Sequence, residues 1–157
     1  MSGAPLAKVV VVVLLLLVVA GVGYFLYSEY QKVQALRDLK IYLVDVRVVT
    51  VGLTSATLEL KLRVHNPTSV PVSIDRVIYT LYGDGNYVAD GGITEKTDIP
   101  AGGERLMTSR LEVSYSGLAK AVYEVITRGG RLAWRVKGVI YSTTLLGTHT
   151  VSFEIKM

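Results

Sequence analysis

The chain has 157 residues, 50% of them hydrophobic, a formal charge of +4 and no cysteine. Without cysteine there can be no disulfide, thiolate catalysis or Cys-ligated metal, so a core alone must hold the fold. Asn66 and Asn86 are the only asparagines, and Gln31 and Gln34 the only glutamines; this poverty in heat-labile residues points to a thermophilic source. The charge is uneven. From Arg105 onward there are eight basic residues against three acidic ones, enough for contact with an anionic surface but too small a footprint for nucleic acid.

Residues 1–38 read as a transmembrane helix and a helical stalk, and residues 39–157 as one β domain. Val9 to Tyr27 carries no charge, and at 1.5 Å per residue it covers most of a hydrocarbon core of ~30 Å. Val9, Leu14, Leu17 and Val19 belong to the aliphatic body. Tyr24, Phe25 and Tyr27 mark the headgroup end, where amphipathic rings settle. A cleaved signal peptide is the alternative, because Ala20, Gly21, Val22 and Gly23 resemble a cleavage region. Hydrophobicity resumes beyond them through Tyr24-Phe25-Leu26-Tyr27, which favours a retained single-pass anchor. Lys32, Arg37 and Lys40 outnumber Lys8 and would place the domain in the cytoplasm; a very short tail before a first apolar segment is also the pattern of an uncleaved export signal, and an extracytoplasmic domain is the reading adopted. In the stalk, Tyr30, Val33, Leu36 and Leu39 recur at helical spacing. This stripe suits packing on the domain or pairing with a second copy into a homo-oligomer.

The rest is mainly β. Thr57 to His65 alternates strictly, placing Leu58, Leu60, Leu62 and Val64 on one face of an antiparallel strand. Ile41 to Val51 precedes it, and Gly52-Leu53-Thr54-Ser55 turns between the two. Asn66-Pro67 ends the strand and Pro71 keeps the connection extended. Ile74 to Tyr82 and Tyr87 to Gly91 form a second hairpin around Gly83-Asp84-Gly85-Asn86. After Ile93 to Ile99, Pro100-Ala101-Gly102-Gly103 turns into a strand from Glu104 to Val113. Tyr115 to Arg128 has helical period with Leu118, Val122, Val125 and Ile126 on one side, and Gly129-Gly130 closes it. Strands Arg131 to Tyr141 and Gly147 to Met157 follow. About seven antiparallel strands with one helix predict a β-sandwich of immunoglobulin or fibronectin-III type.

Four segments together resemble a known family: L-E-L-K-L-R-V-H-N-P-T-S-V-P-V from Leu58 to Val72, Y-T-L-Y-G-D-G from Tyr79 to Gly85, V-A-D-G from Val88 to Gly91, and I-P-A-G-G-E from Ile99 to Glu104. The chain is similar to late embryogenesis abundant group 2 proteins, whose core is the water-stress-and-hypersensitive-response (WHy) domain. That resemblance implies a seven-stranded sandwich with one helix, an association with stress or desiccation, and no catalysis or cofactor. Asn66, Pro67, Pro71, Gly83, Gly85, Pro100 and Gly103 carry the motif as structural positions.

The remaining chemistry is sparse. His65 and His149 have no second ligand at a metal-binding spacing, and Gly83 to Asn86 with Asp90 lacks the downstream glutamate of a calcium loop. No G-x-S-x-G elbow is present. Arg128, Arg131, Arg135 and Lys137, near Trp134 and Tyr141, form the densest basic stretch. It reads first as a solvated strand face and second as a contact for an anionic lipid or polymer surface.

Overall fold

The computed structural model describes residues 3–157. Helix α1 (Gly3–Arg37) runs unbroken from the apolar segment through the stalk. It is followed by β1 (Lys40–Val51), β2 (Ser55–His65), β3 (Val72–Ile74), β4 (Arg76–Gly83), β5 (Asn86–Ile93), β6 (Thr97–Ile99), β7 (Glu104–Ser114), α2 (Lys120–Arg128), β8 (Trp134–Thr144) and β9 (Gly147–Lys156). All strand pairs are antiparallel, in sheets ordered β1-β2-β7, β3-β6 and β5-β4-β8-β9.

The nine strands correct the expected seven. The single strand anticipated from Ile74 to Tyr82 is two, broken at Asp75, whose N–H leaves the small sheet to donate to Tyr141 O at 2.8 Å. The segment after Ile93 yields β6, three residues whose strand partner is β3. Helix α2 starts five residues later than its periodicity suggested. Gly117 takes φ +76°, a conformation no helix contains, and the Tyr115 hydroxyl donates to Gly52 O at 2.9 Å, binding the preceding residues to the β1–β2 turn.

One core joins the two larger sheets and both helices. Leu58, Leu60, Leu62 and Val64 of β2 are fully buried, as the alternation requires, facing Val77, Tyr79 and Leu81 of β4 and Val136 and Ile140 of β8. Val122 and Ile126 bring in α2. Ala35 and Leu36, on the helix side of the expected boundary at 39, are buried in the same core. Between the layers, Tyr79 Oη donates to Ser109 Oγ at 2.8 Å, and Ser109 Oγ donates onward to Gly92 O at 3.1 Å. This satisfies the phenol in an apolar interior. Burial pushes the Tyr79 hydroxyl above its ordinary pKa.

Across the four-stranded sheet, Gly91, Tyr79, Gly138 and Phe153 stand in register on neighbouring strands. A Cβ at Gly91 would fall 2.5 Å from Tyr79 Cζ, and one at Gly138 would fall 2.6 Å from Phe153 Cζ. Each ring thus occupies the space its glycine neighbour leaves empty.

Candidate functional site

The strand registers give the domain two ends. Lys40 pairs with His65 and His65 with Glu104, while Val51 pairs with Ala56 and Ser55 with Ser114; β8 runs from Trp134, beside Gly83, to Thr144, beside Gly147. The loop 66–71 and the turn 100–103 gather at one end with the last turns of α1 and the β8–β9 turn. The β1–β2 turn, the Gly83–Asn86 turn and the entry to β8 lie at the other.

Asn66 builds the helix end. Its side chain is fully buried and uses its whole hydrogen-bonding capacity. Nδ2 donates to Val70 O at 2.8 Å and, at 3.4 and 3.3 Å, to Ile99 O and Pro100 O; Oδ1 accepts from Thr68 N at 3.0 Å and Thr68 Oγ1 at 2.6 Å. The backbone completes the knot, with Asn66 N donating to Gly103 O, Gly102 N to Thr68 O and Gly103 N to Pro100 O. Two motif segments 33 and 34 positions apart are tied by one amide. Pro67 and Pro71 delimit the loop, and Pro71 also faces α1.

Against this end packs the base of α1. Between Lys32, Val33 and Leu36 of the helix and Pro71, Val72, Asp98, Arg105 and Thr144 of the domain lies a cleft of about 520 Å³. One turn earlier, Glu29 is 2% exposed. Its Oε1 accepts from Lys32 Nζ at 2.7 Å and its Oε2 from the backbone N–H of Leu145 at 3.0 Å. The Lys32 hydrogen bond, chief among these contacts, holds the carboxyl below the usual glutamate value despite burial, and the Leu145 amide adds to it. Leu145 and Leu146 themselves stand 76% and 48% exposed at the hairpin tip. Beyond Glu29, every apolar residue from Val9 to Tyr27 is exposed and none of this span is covered by the domain. Val9, Leu14, Leu17, Val19, Tyr24, Phe25 and Tyr27, expected from the sequence to form an anchor, thus lie along one projecting helix. That length and apolarity serve a single-pass anchor and a signal sequence alike.

The basic stretch lies elsewhere. Arg128 ends α2 and Arg131 follows in the connection, both exposed; Arg135 and Lys137 sit on the outer face of β8. Arg135 pairs with Glu154 at 3.3 Å and lies 5.0 Å from the centre of the Tyr82 ring, with Lys137 Nζ at 5.9 Å from the same ring. The other charged cluster belongs to β2: Glu59, 5% exposed, receives Arg47 at 2.8 Å and Arg110 at 3.3 Å. Burial works to raise its carboxyl, but the hydrogen bonds from Arg47 and Arg110 together with the charges of Arg47 and Lys61 outweigh it and leave the group below the usual value. At the far end, Gly83 and Gly85 frame the β4–β5 turn, Gly85 at φ +80°. Both histidines fall near the helix end, on different sheets; His149 Nε2 meets Thr144 Oγ1 at 2.9 Å. Among the described residues no group of three or more His, Asp or Glu side chains is placed to hold a metal ion.

The family model described as late embryogenesis abundant protein (LEA_2) matches residues 61–157, from within β2 through β9 and more than half of the chain. The chain belongs to the late embryogenesis abundant LEA_2 family. None of the curated proteins matches it. Among solved structures, one in solution from Arabidopsis thaliana is 19% identical, covers 74% of this chain and 80% of its own, and superposes with a TM-score of 0.53; the likeness is one of fold. A crystal structure from Archaeoglobus fulgidus is 19% identical with a TM-score of 0.48, over 73% of this chain and 94% of that one. A solution structure described as a late embryogenesis abundant (LEA) protein is 16% identical with a TM-score of 0.44, over 89% and 87%.

In this LEA_2 chain the Asn-Pro segment is thus a loop lock. Two features of the helix end escaped the sequence reading: Glu29, the first acid after the apolar span, and the Leu-Leu pair inside a polar turn. The pair of apolar residues between Thr144 and Gly147 was the one available signal, since turns are normally built from Gly, Asn, Asp, Ser and Pro.

Proposed function

We propose that this LEA_2 protein is a bilayer-tethered, non-enzymatic domain of the WHy type that protects or organises a membrane surface under desiccation or related stress. The observation that carries the reading is the projecting helix. Nineteen consecutive uncharged residues lie outside the domain's own core, and a bilayer is the environment that covers such a length at no cost in unsatisfied backbone groups. We read the two larger sheets as an immunoglobulin- or fibronectin-III-like sandwich, with β3-β6 as a clasp at the helix end, and the domain as extracytoplasmic.

The basic stretch fits a second surface better than the bilayer that holds α1. Arg135 is nine residues and Lys137 seven residues from Thr144, roughly 30 and 23 Å along β8. Both distances exceed the screening length of about 8 Å at physiological salt. We take an anionic polymer or an opposing anionic surface as the partner there.

Alkaline carbonate extraction of membranes from expressing cells tests the tether, and the full chain is expected to stay in the pellet. Protease treatment of sealed cells tests the side. Loss of the gene is expected to lower survival after drying, heat or osmotic shock; unchanged survival in all three would count against protection.

A further inference from the structure

We propose that the β8–β9 hairpin tip is a second membrane contact, in which Leu145 and Leu146 enter the boundary between headgroups and acyl chains beside α1. This rests on the anchor reading above. A single exposed leucine is ordinary on a protein surface; Leu53, fully exposed at the far end, is such a case. Position distinguishes the pair. Because Leu145 N donates to Glu29 Oε2, the tip stands at the height of Glu29 on the helix. Tyr27 and Phe25 are two and four residues nearer the apolar span, about 3 and 6 Å at the helical rise. Those rings mark the headgroup level, and apolar groups at this boundary reach ~5–10 Å into it.

The direction is also set. Leu36 lies alongside Ile140, Val151 and Phe153, whereas Glu29 meets the tip. Helix α1 therefore runs along the hairpin and leaves past its turn, so that tip and span point the same way.

The tip is also chemically equipped for a water-poor layer, where every backbone donor needs an internal partner. Leu145 N is satisfied by Glu29 and Leu146 N by Thr144 Oγ1 at 3.2 Å. The Glu29 carboxylate is in turn neutralised by Lys32. Two attachment points, helix and hairpin, would fix the rotation of the domain about the helix axis.

Because the chain lacks cysteine, full-length single-cysteine variants can be labelled with a nitroxide and reconstituted in phosphatidylcholine vesicles. The variants are Leu145→Cys, Leu146→Cys, Leu14→Cys in the middle of the span, and Leu53→Cys. Collision with oxygen relative to a water-soluble nickel chelate reports depth. The ratio at 145 and 146 is expected to be severalfold above that at 53 and below that at 14. Equality with 53 while 14 is immersed in lipid overturns the tip contact and leaves the anchor standing. Free access of the chelate to 14 overturns both. Dipolar broadening between labels at 145 on separate chains assigns the leucines to a second copy and overturns the bilayer contact.

Discussion

Replacing Asn66 by alanine removes the amide that joins the 66–70 loop to the 99–103 turn. Three of its hydrogen bonds, to Val70 O, Thr68 N and Thr68 Oγ1, lie between 2.6 and 3.0 Å, and each is worth about 1 kcal/mol net. Val70 O gains a partner in Thr68 Oγ1, whose single proton is released by the loss of Oδ1. Thr68 N is left without its acceptor, and orphaning a partly buried donor adds about 1 kcal/mol. The expected loss is ~3–4 kcal/mol, a large share of a typical total stability of 5–15 kcal/mol. For a chain of this size it lowers the melting temperature by roughly 10 °C. Urea unfolding of the full chain in detergent, followed by circular dichroism, measures the loss. A decrease below about 1 kcal/mol with an unchanged denaturant slope would refute the account of Asn66 as the lock. Asn66→Asp supplies an internal check: it keeps the acceptor but turns the other end of the side chain toward the Val70, Ile99 and Pro100 carbonyls. It is expected to be least stable at neutral pH and to recover in acid, where the carboxyl can donate.

Gly91→Ala should be costly for its size, about 1–3 kcal/mol by overpacking, because the new methyl meets the Tyr79 ring; a neutral effect in the same unfolding assay would show that the ring moves freely. Tyr79→Phe leaves Ser109 bonded to Gly92 O and should lose only about 1 kcal/mol. Since burial raises the Tyr79 pKa, its contribution is whole below the ordinary tyrosine value and fades as pH rises through the raised one; alkaline unfolding should therefore shift upward in Tyr79→Phe. The Glu29 carboxyl is lowered, so its latch on Leu145 is present above the ordinary glutamate value and is lost as pH falls through the lowered one. The protection factor of the Leu145 amide, taken against the intrinsic exchange rate at each pH, should fall over that window, and protection that stays constant after the carboxyl has been titrated would contradict the assignment.

Local pattern carried most of the sheet architecture. The alternation from Leu58 to Val64, the turn at Gly52 to Ser55 and the Gly83 to Asn86 hairpin all correspond to observed pairings. What local pattern missed is tertiary in origin. The break at Asp75 is made by Tyr141, and β6 exists because β3 lies beside it. Helix α2 is shortened by a bond to a turn 63 residues away. At the helix end, Asn66-Pro67 was visible as a strand terminator, but its grip on Ile99 and Pro100 was not. The Glu29–Leu145 contact spans 116 residues, and no periodicity in either segment points to the other.

The row of Gly91, Tyr79, Gly138 and Phe153 bears on how such a sequence can diverge while its fold stays in place. Position 91 is crowded by the Tyr79 ring alone, whereas 138 is closed both by the Phe153 ring and by the Ile78 carbonyl oxygen, 2.7 Å from where a Cβ would stand. A relative that carries alanine or serine opposite position 79 must therefore carry a smaller residue at 79 itself. Positions 79 and 91 thus share one volume: a change in one lowers stability until a matching change across the strand restores the fit.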